Sequence, residues 1–111
     1  MKVAAVNRSA LAALSNGKIS VERELTALFR RVNDEDVNAL CQAISEGNTA
    51  GAAHSAHRIS GACSMIGAIG LATVCARLET AGRAGDLDAV KADVPSFQQE
   101  LQRVYTFLDS I

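Results

Sequence analysis

The sequence predicts an all-α protein: an antiparallel four-helix bundle with a short additional helix at the N-terminus. Three observations predict it. Alanine and leucine dominate a chain that is 49% hydrophobic but only 4% aromatic, and no β-branched run alternates with polar residues. Four substantial stretches repeat apolar residues at helical spacing. The breaks between them are short and each contains glycine, which suits neighbouring helices that reverse direction. A chain of 111 residues holds one domain with one core, so residues 1–111 read as a single unit with a loose lead-in over residues 1–6.

Taken in order, Asn7 caps a short helix, Arg8–Leu14, with Val6 and Leu11 stapled across the cap. Asn16-Gly17 ends it. Ser20 then caps a long segment in which Val21, Leu25, Leu28, Phe29 and Val32 recur on one stripe. Asn33 and Asp36 read as a new cap, giving a kink or break before Val37, Leu40, Cys41 and Ile44 continue the stripe. Glu46-Gly47-Asn48 is a turn, and Asn48 or Thr49 starts a central helix, Thr49–Ile66. Gly67-Ala68 leads into Ala68–Ala81, with Leu71, Val74, Cys75 and Leu78 facing inward. Asp86 caps a short segment, Leu87–Ala92. Pro95, suited to a first helical turn, opens the last helix, Pro95–Ser110, with Phe97, Leu101, Val104, Leu108 and Ile111 as its stripe.

Composition excludes several classes of function. A net charge of -1 offers no basic face for nucleic acid. No apolar run approaches membrane-spanning length, and the N-terminus lacks a secretory apolar segment, so no direct membrane contact is expected. Three cysteines without a C-x-x-C pair suit a reducing, cytoplasmic compartment. Cys63 and Cys75 fall on core stripes and read as inert packing.

The chain is organised around Thr49–Ile66. With roughly 100° per residue and His57 set at zero, Ala52, Ala56, Ile59, Cys63 and Ile66 fall at roughly 180–260°. Ala50, Ala53, His54, Ser60, Gly61 and Ser64 share the His57 side, and most are small. A histidine therefore stands on the polar face of a helix with little bulk around its ring. Glycine inside a helix costs about 1 kcal/mol relative to alanine, so Gly61, one turn after His57, needs a steric reason.

His57-x-Ile59-x-Gly61, then Met65-Ile66-Gly67-Ala68, then Leu71, Leu78 and Glu79, resembles a histidine-phosphotransfer (HPt) domain. The resemblance runs from about Ser20 to the C-terminus and is densest between His54 and Asp86. It is nearest to HPt modules at the C-terminus of hybrid sensor kinases of the BvgS/EvgS type, and a chain that ends just after its last helix suits such a module. The resemblance implies a phosphorelay phosphocarrier without autonomous catalysis. His57 would accept a phosphoryl group from the aspartate of a hybrid kinase receiver domain and pass it to a response-regulator aspartate. It implies no cofactor of its own, since the receiver supplies Mg²⁺ and a lysine, and it suits a monomer when isolated. The family usually has lysine three residues after the histidine; here that position is Ser60, and Arg58 could partly substitute.

Each residue around His57 carries two readings. Gly61 gives clearance for the phosphoryl group and receiver, or merely a helix contact. His54 is a docking residue or neutral; its next-turn neighbour is the bulky Arg58, so sterics favour His57 as acceptor. Arg58 screens the phosphate or is simply solvated. Ser60 bonds a phosphate oxygen or folds back onto a helix carbonyl. Ser64 lines the same face, and Met65 and Ala68 extend an apolar docking surface. Two other functions compete with the carrier. A metal-binding bundle would use His54 and His57, an i,i+3 pair, but Cys63 points to the opposite face and no carboxylate lies on that turn. An interaction module would dock receivers without taking phosphate.

Overall fold

The computed structural model describes residues 4–111, and these described residues fold into five helices with no strand. Helix α1 spans Arg8–Leu14, α2 Ile19–Ser45, α3 Thr49–Ile66, α4 Ile69–Arg83 and α5 Leu87–Asp109. Helix α3 packs on α4 and α2, α4 on α5, and α2 on α5, while α1 rests against α3 and α2. Leu40, Ile59, Leu71, Leu78, Val90 and Val104 meet in the core with almost no exposure. Burying each such side chain contributes about 1.5–3 kcal/mol.

The lead-in expected over residues 1–6 lies partly outside the described residues. Within them, Val6 is buried beside Leu11, and the Asn7 N–H donates to the Gly67 carbonyl at 3.1 Å. Asn7 also caps α1, its Oδ1 accepting from the Ala10 N–H. Arg8 pairs with Glu22 of α2 at 2.9 Å. Gly67 makes this docking possible. Its φ of 70° is left-handed, which ends α3, and a Cβ there would lie 2.3 Å from the Asn7 Cβ.

Helix α2 corrects two expectations. It starts after Lys18 rather than after a Ser20 cap, and it runs unbroken through Asn33 and Asp36. Its buried residues are Glu22, Thr26, Phe29, Asn33, Asp36, Leu40 and Ala43. Their alternating spacing of four and three residues is one continuous core-facing seam. Four of the seven are polar, so hydrophobicity alone does not find them. The polar groups that resemble caps make tertiary bonds instead. Asn33 Nδ2 donates to the Tyr105 hydroxyl of α5 at 3.1 Å, and that hydroxyl donates to Asp34. Arg30 stacks 4.5 Å over the Tyr105 ring and pairs with Asp109. Burial first, then the bond to Asp34, pushes the Tyr105 phenol up to about 12. Asp36 is taken up by Arg58. Cys41, expected on the inner stripe, is exposed.

Helix α5 is also one element where two were expected. Asp86 caps it as predicted, its Oδ1 accepting from the Ala89 N–H, but the helix then continues through Pro95. An interior proline costs about 3 kcal/mol or more. Val90, Phe97 and Val104 are all buried at seven-residue intervals, so one inward stripe spans the proline. Pro95 lies roughly 160° from Phe97, on the exposed side.

Helix α4 lies very close to α3 at Gly82. A Cβ there would stand 2.6 Å from the Thr49 carbonyl oxygen and 2.9 Å from the Ala53 Cβ. Ala53, expected on the open His57 face, is accordingly buried. Gly82→Ala should destabilise the fold by about 1–3 kcal/mol, since backbone must move to admit the methyl. Gly61→Ala should instead stabilise it by about 0.5–1 kcal/mol, because a Cβ at Gly61 meets nothing within 4 Å. Urea unfolding midpoints of the two variants check both signs.

Burial pushes the Cys63 and Cys75 thiols up to about 12, with the neighbouring Cys63 adding to the effect on Cys75. A thiol reagent needs thiolate and access. In folded protein at mildly alkaline pH, only Cys41 should be alkylated, and mass mapping of the labelled peptides reads the result.

Candidate functional site

The site is built where α3 and α4 touch. His57 lies in the middle of α3 with its side chain 66% exposed. Its Nδ1 is 3.0 Å from Oε1 of Glu79 on α4. The other oxygen of that carboxylate, Oε2, is 2.5 Å from Nη2 of Arg83, one turn further along α4. A carboxylate in such a pair serves as an acceptor of hydrogen bonds. The contact therefore suits the His57 tautomer that carries its proton on Nδ1 and leaves Nε2 without one. The Glu79 side chain is only 17% exposed, so it is braced by its surroundings.

Glu79 is the site residue that sequence reasoning missed. Its signal was present, since the Leu78-Glu79 pair belongs to the pattern that carries the HPt resemblance. A carboxylate 22 residues from the histidine nevertheless has no local spacing that links the two. Only the packing of α4 on α3 does so.

The expected site residues sort into three groups. His54, Gly61, Ser64 and Met65 are exposed with His57 on α3. A Cβ on Gly61 would meet open space, so the turn above the His57 ring is clear. Arg58 is exposed but its Nε donates to Asp36 Oδ1 of α2 at 3.0 Å. Ser60 is half-buried, and the helix-carbonyl bond expected of it is made by Ser64, whose Oγ donates to the Ser60 carbonyl at 2.9 Å. Ala68 is a correction. It is fully buried beneath the α3–α4 turn and presents no docking surface.

Met65, 62% exposed, stands two turns from His57. It borders an apolar groove between α3 and α2 that also takes in Leu14, Leu25, Leu28, Val32 and Ala62. These α2 residues are the stripe seen in the sequence. The seam described above turns them away from the core, so they line the surface beside the site.

Among the described residues, no three His, Cys, Asp or Glu side chains gather to hold a metal ion, and Cys63 is buried on the far face of α3. No helix among them is long and apolar enough to cross a membrane.

The Hpt domain family model matches residues 24–106. The crystal structure of histidine-containing phosphotransfer protein B (HptB) from Pseudomonas aeruginosa PAO1 superposes with a TM-score of 0.89 at 25% identity. The match covers 98% of this chain and 95% of that one. No curated protein matches. Hpt domains work with receiver domains and response regulators. A family match across most of the chain, on a fold that superposes on a histidine-containing phosphotransfer protein, makes this chain a member of the Hpt domain family and a phosphorelay phosphocarrier.

Proposed function

We propose that His57 is the phosphoryl acceptor and that Nε2 is the nitrogen that attacks. One observation carries the assignment. The Glu79 carboxylate lies 3.0 Å from Nδ1, which favours the proton there and leaves Nε2 as the free nitrogen of an exposed ring below the open turn at Gly61. Neutral imidazole is a competent nucleophile without a local base. Nε2 forms a bond to phosphorus as the bond from phosphorus to the receiver aspartate oxygen breaks. The aspartate leaves as carboxylate with the electron pair. The ring gains positive charge, and the Glu79 carboxylate at Nδ1 stabilises it as it develops. The reverse step delivers the group to the aspartate of the next receiver. Mg²⁺ and a lysine belong to the receiver, so this chain holds no cofactor of its own. A module that only docks receivers would have no use for an oriented, exposed ring.

The apolar groove beside Met65 offers a receiver a dry contact, and His54, Arg58, Ser60 and Ser64 form the polar surround of the phosphate. The helix pairs support an antiparallel four-helix bundle of α2 to α5 with α1 packed against it. Ala43 lies near Gly51 while Asp36 meets Arg58, and Arg77 meets Asp93 while Gly70 meets Glu100. In each case, later residues of one helix meet earlier residues of the next. We read residues 1–111 as one such domain, monomeric in isolation and cytoplasmic. A hybrid sensor kinase receiver of the BvgS/EvgS type is the donor we favour.

His57→Gln should abolish label transfer from a phosphorylated receiver while changing stability by only about 0.5 kcal/mol. His54→Gln should still be labelled. Labelling retained in folded His57→Gln and lost in His54→Gln would reverse the assignment.

Gly61→Gln tests the clearance. Glutamine favours helix by roughly 0.5–1 kcal/mol over glycine, so the fold should hold. Its side chain would fill the open turn beside the ring and slow transfer by about tenfold, a barrier increase of roughly 1.4 kcal/mol. Stopped transfer assays on the folded variant decide it, and a wild-type rate would remove the clearance role.

A further inference from the structure

The Glu79 carboxylate is divided between two groups: Oε1 takes the His57 ring and Oε2 takes the Arg83 guanidinium. Building on the reading of His57 as acceptor, we infer that Arg83 is a positioning residue that acts on His57 through Glu79. It pins Oε2, so that Oε1 is the oxygen left to meet Nδ1.

The pair has little value as a stabilising element. Arg83 is 69% exposed, and a pair with so exposed a partner contributes little to folding. Its place gives it meaning. Glu79 is largely buried, and a largely buried carboxylate needs a charged partner as well as a neutral donor. The terminal torsion of glutamate is broad, so a single bond to the ring does not fix the carboxylate plane. Two bonds on two oxygens do. Gly82, between Glu79 and Arg83 in sequence, holds this turn of α4 hard against Thr49 and Ala53, so the backbone beneath the pair cannot drift. Arg83 also sits in the last turn of α4, where the helix dipole favours a cation.

The other charged side chain beside His57 is engaged elsewhere. Arg58, on the same helix, is held by Asp36 from α2. Among the described residues, the Glu79 carboxylate meets His57 and Arg83. Losing Arg83 would free the carboxylate to turn from the ring, and the ring proton could then move to Nε2. That tautomer has no outward lone pair for phosphorus.

The experiment uses the isolated protein with ¹⁵N-labelled histidine, and phosphoramidate as a phosphoryl donor too small to need a docking surface. Nε2 bonds to phosphorus, the phosphoramidate P–N bond breaks, and ammonia leaves with the electron pair. At alkaline pH, with the ring neutral, the ¹⁵N signals of His57 report which nitrogen carries the proton. Arg83→Gln should shift these signals away from the Nδ1–H form and slow phosphorylation by about threefold, the scale of an exposed charge pair. Arg83→Lys, which keeps a cation for Oε2, should keep both near wild type. In a Glu79→Gln background, Arg83→Gln should change neither. Unchanged ring signals in Arg83→Gln, or an effect that persists without the Glu79 carboxylate, would overturn the inference. Wild-type protein that takes no phosphate would instead remove the carrier reading, and the ring signals would still decide the role of Arg83.

Discussion

The contact of α4 on α3 at Gly82 is the constraint on which the site depends. With a Cβ position only 2.6 Å from the Thr49 carbonyl, no side chain fits between the helices. The two backbones therefore approach as closely as packing allows, and Ala53 closes the contact. One turn along α3 from Ala53 stands His57, and about one turn back along α4 from Gly82 stands Glu79. Their 3.0 Å hydrogen bond is thus set by backbone placement, not by the reach of two flexible side chains. A hydrogen bond tolerates only a few tenths of an ångström before it weakens. The partner of a surface histidine is in this way placed by a glycine buried on another helix.

Helix α2 solves a second problem. It must hold the core together and also leave an apolar surface beside His57. Its inward seam uses Glu22, Thr26, Asn33 and Asp36 among its seven buried residues, and the first and last of these pair with Arg8 and Arg58. Buried ionic and polar groups are no more stabilising than apolar ones of similar shape, so this seam is an expensive way to bury a helix. The return is geometric. Because polar groups take the inward positions, Leu25, Leu28 and Val32 rotate to the groove next to Met65. An exposed apolar strip bordered by charge is the form of a surface that meets partners transiently.

Much of this was legible in the sequence. The ends of α1 and α3, the caps at Asn7, Asn48 and Asp86, and the exposed setting of His57 all follow from local rules. Capping, left-handed glycine and helical phase act within one or two turns. What escaped depends on contacts distant in the chain. Asn33 and Asp36 carry the chemistry of caps, but Tyr105 and Arg58 claim their side chains, so α2 does not break. Pro95 reads as a helix start, yet Val90 and Phe97 share one buried stripe and hold the helix through it. Ala68 lies in the motif next to the turn and was read as surface, but the turn folds it inward. Glu79 was visible as part of a pattern, while its role appears only when α4 lies on α3.

On the proposed assignment, His57 supplies one nucleophilic nitrogen, oriented and uncovered, and little else. Such restraint suits a carrier. A phosphoryl group that must move on is best held by a bond the host does not help to break. Around His57 the protein places small residues and an open turn at Gly61, with the Glu79 carboxylate engaged by the ring nitrogen and by Arg83. A carboxylate free to act as a general base near the phosphate could activate water and discharge the carrier. Here both oxygens of Glu79 are occupied, one by the ring it orients and one by the arginine that braces it. The same arrangement that would leave Nε2 free therefore also keeps Glu79 from serving as a base toward water.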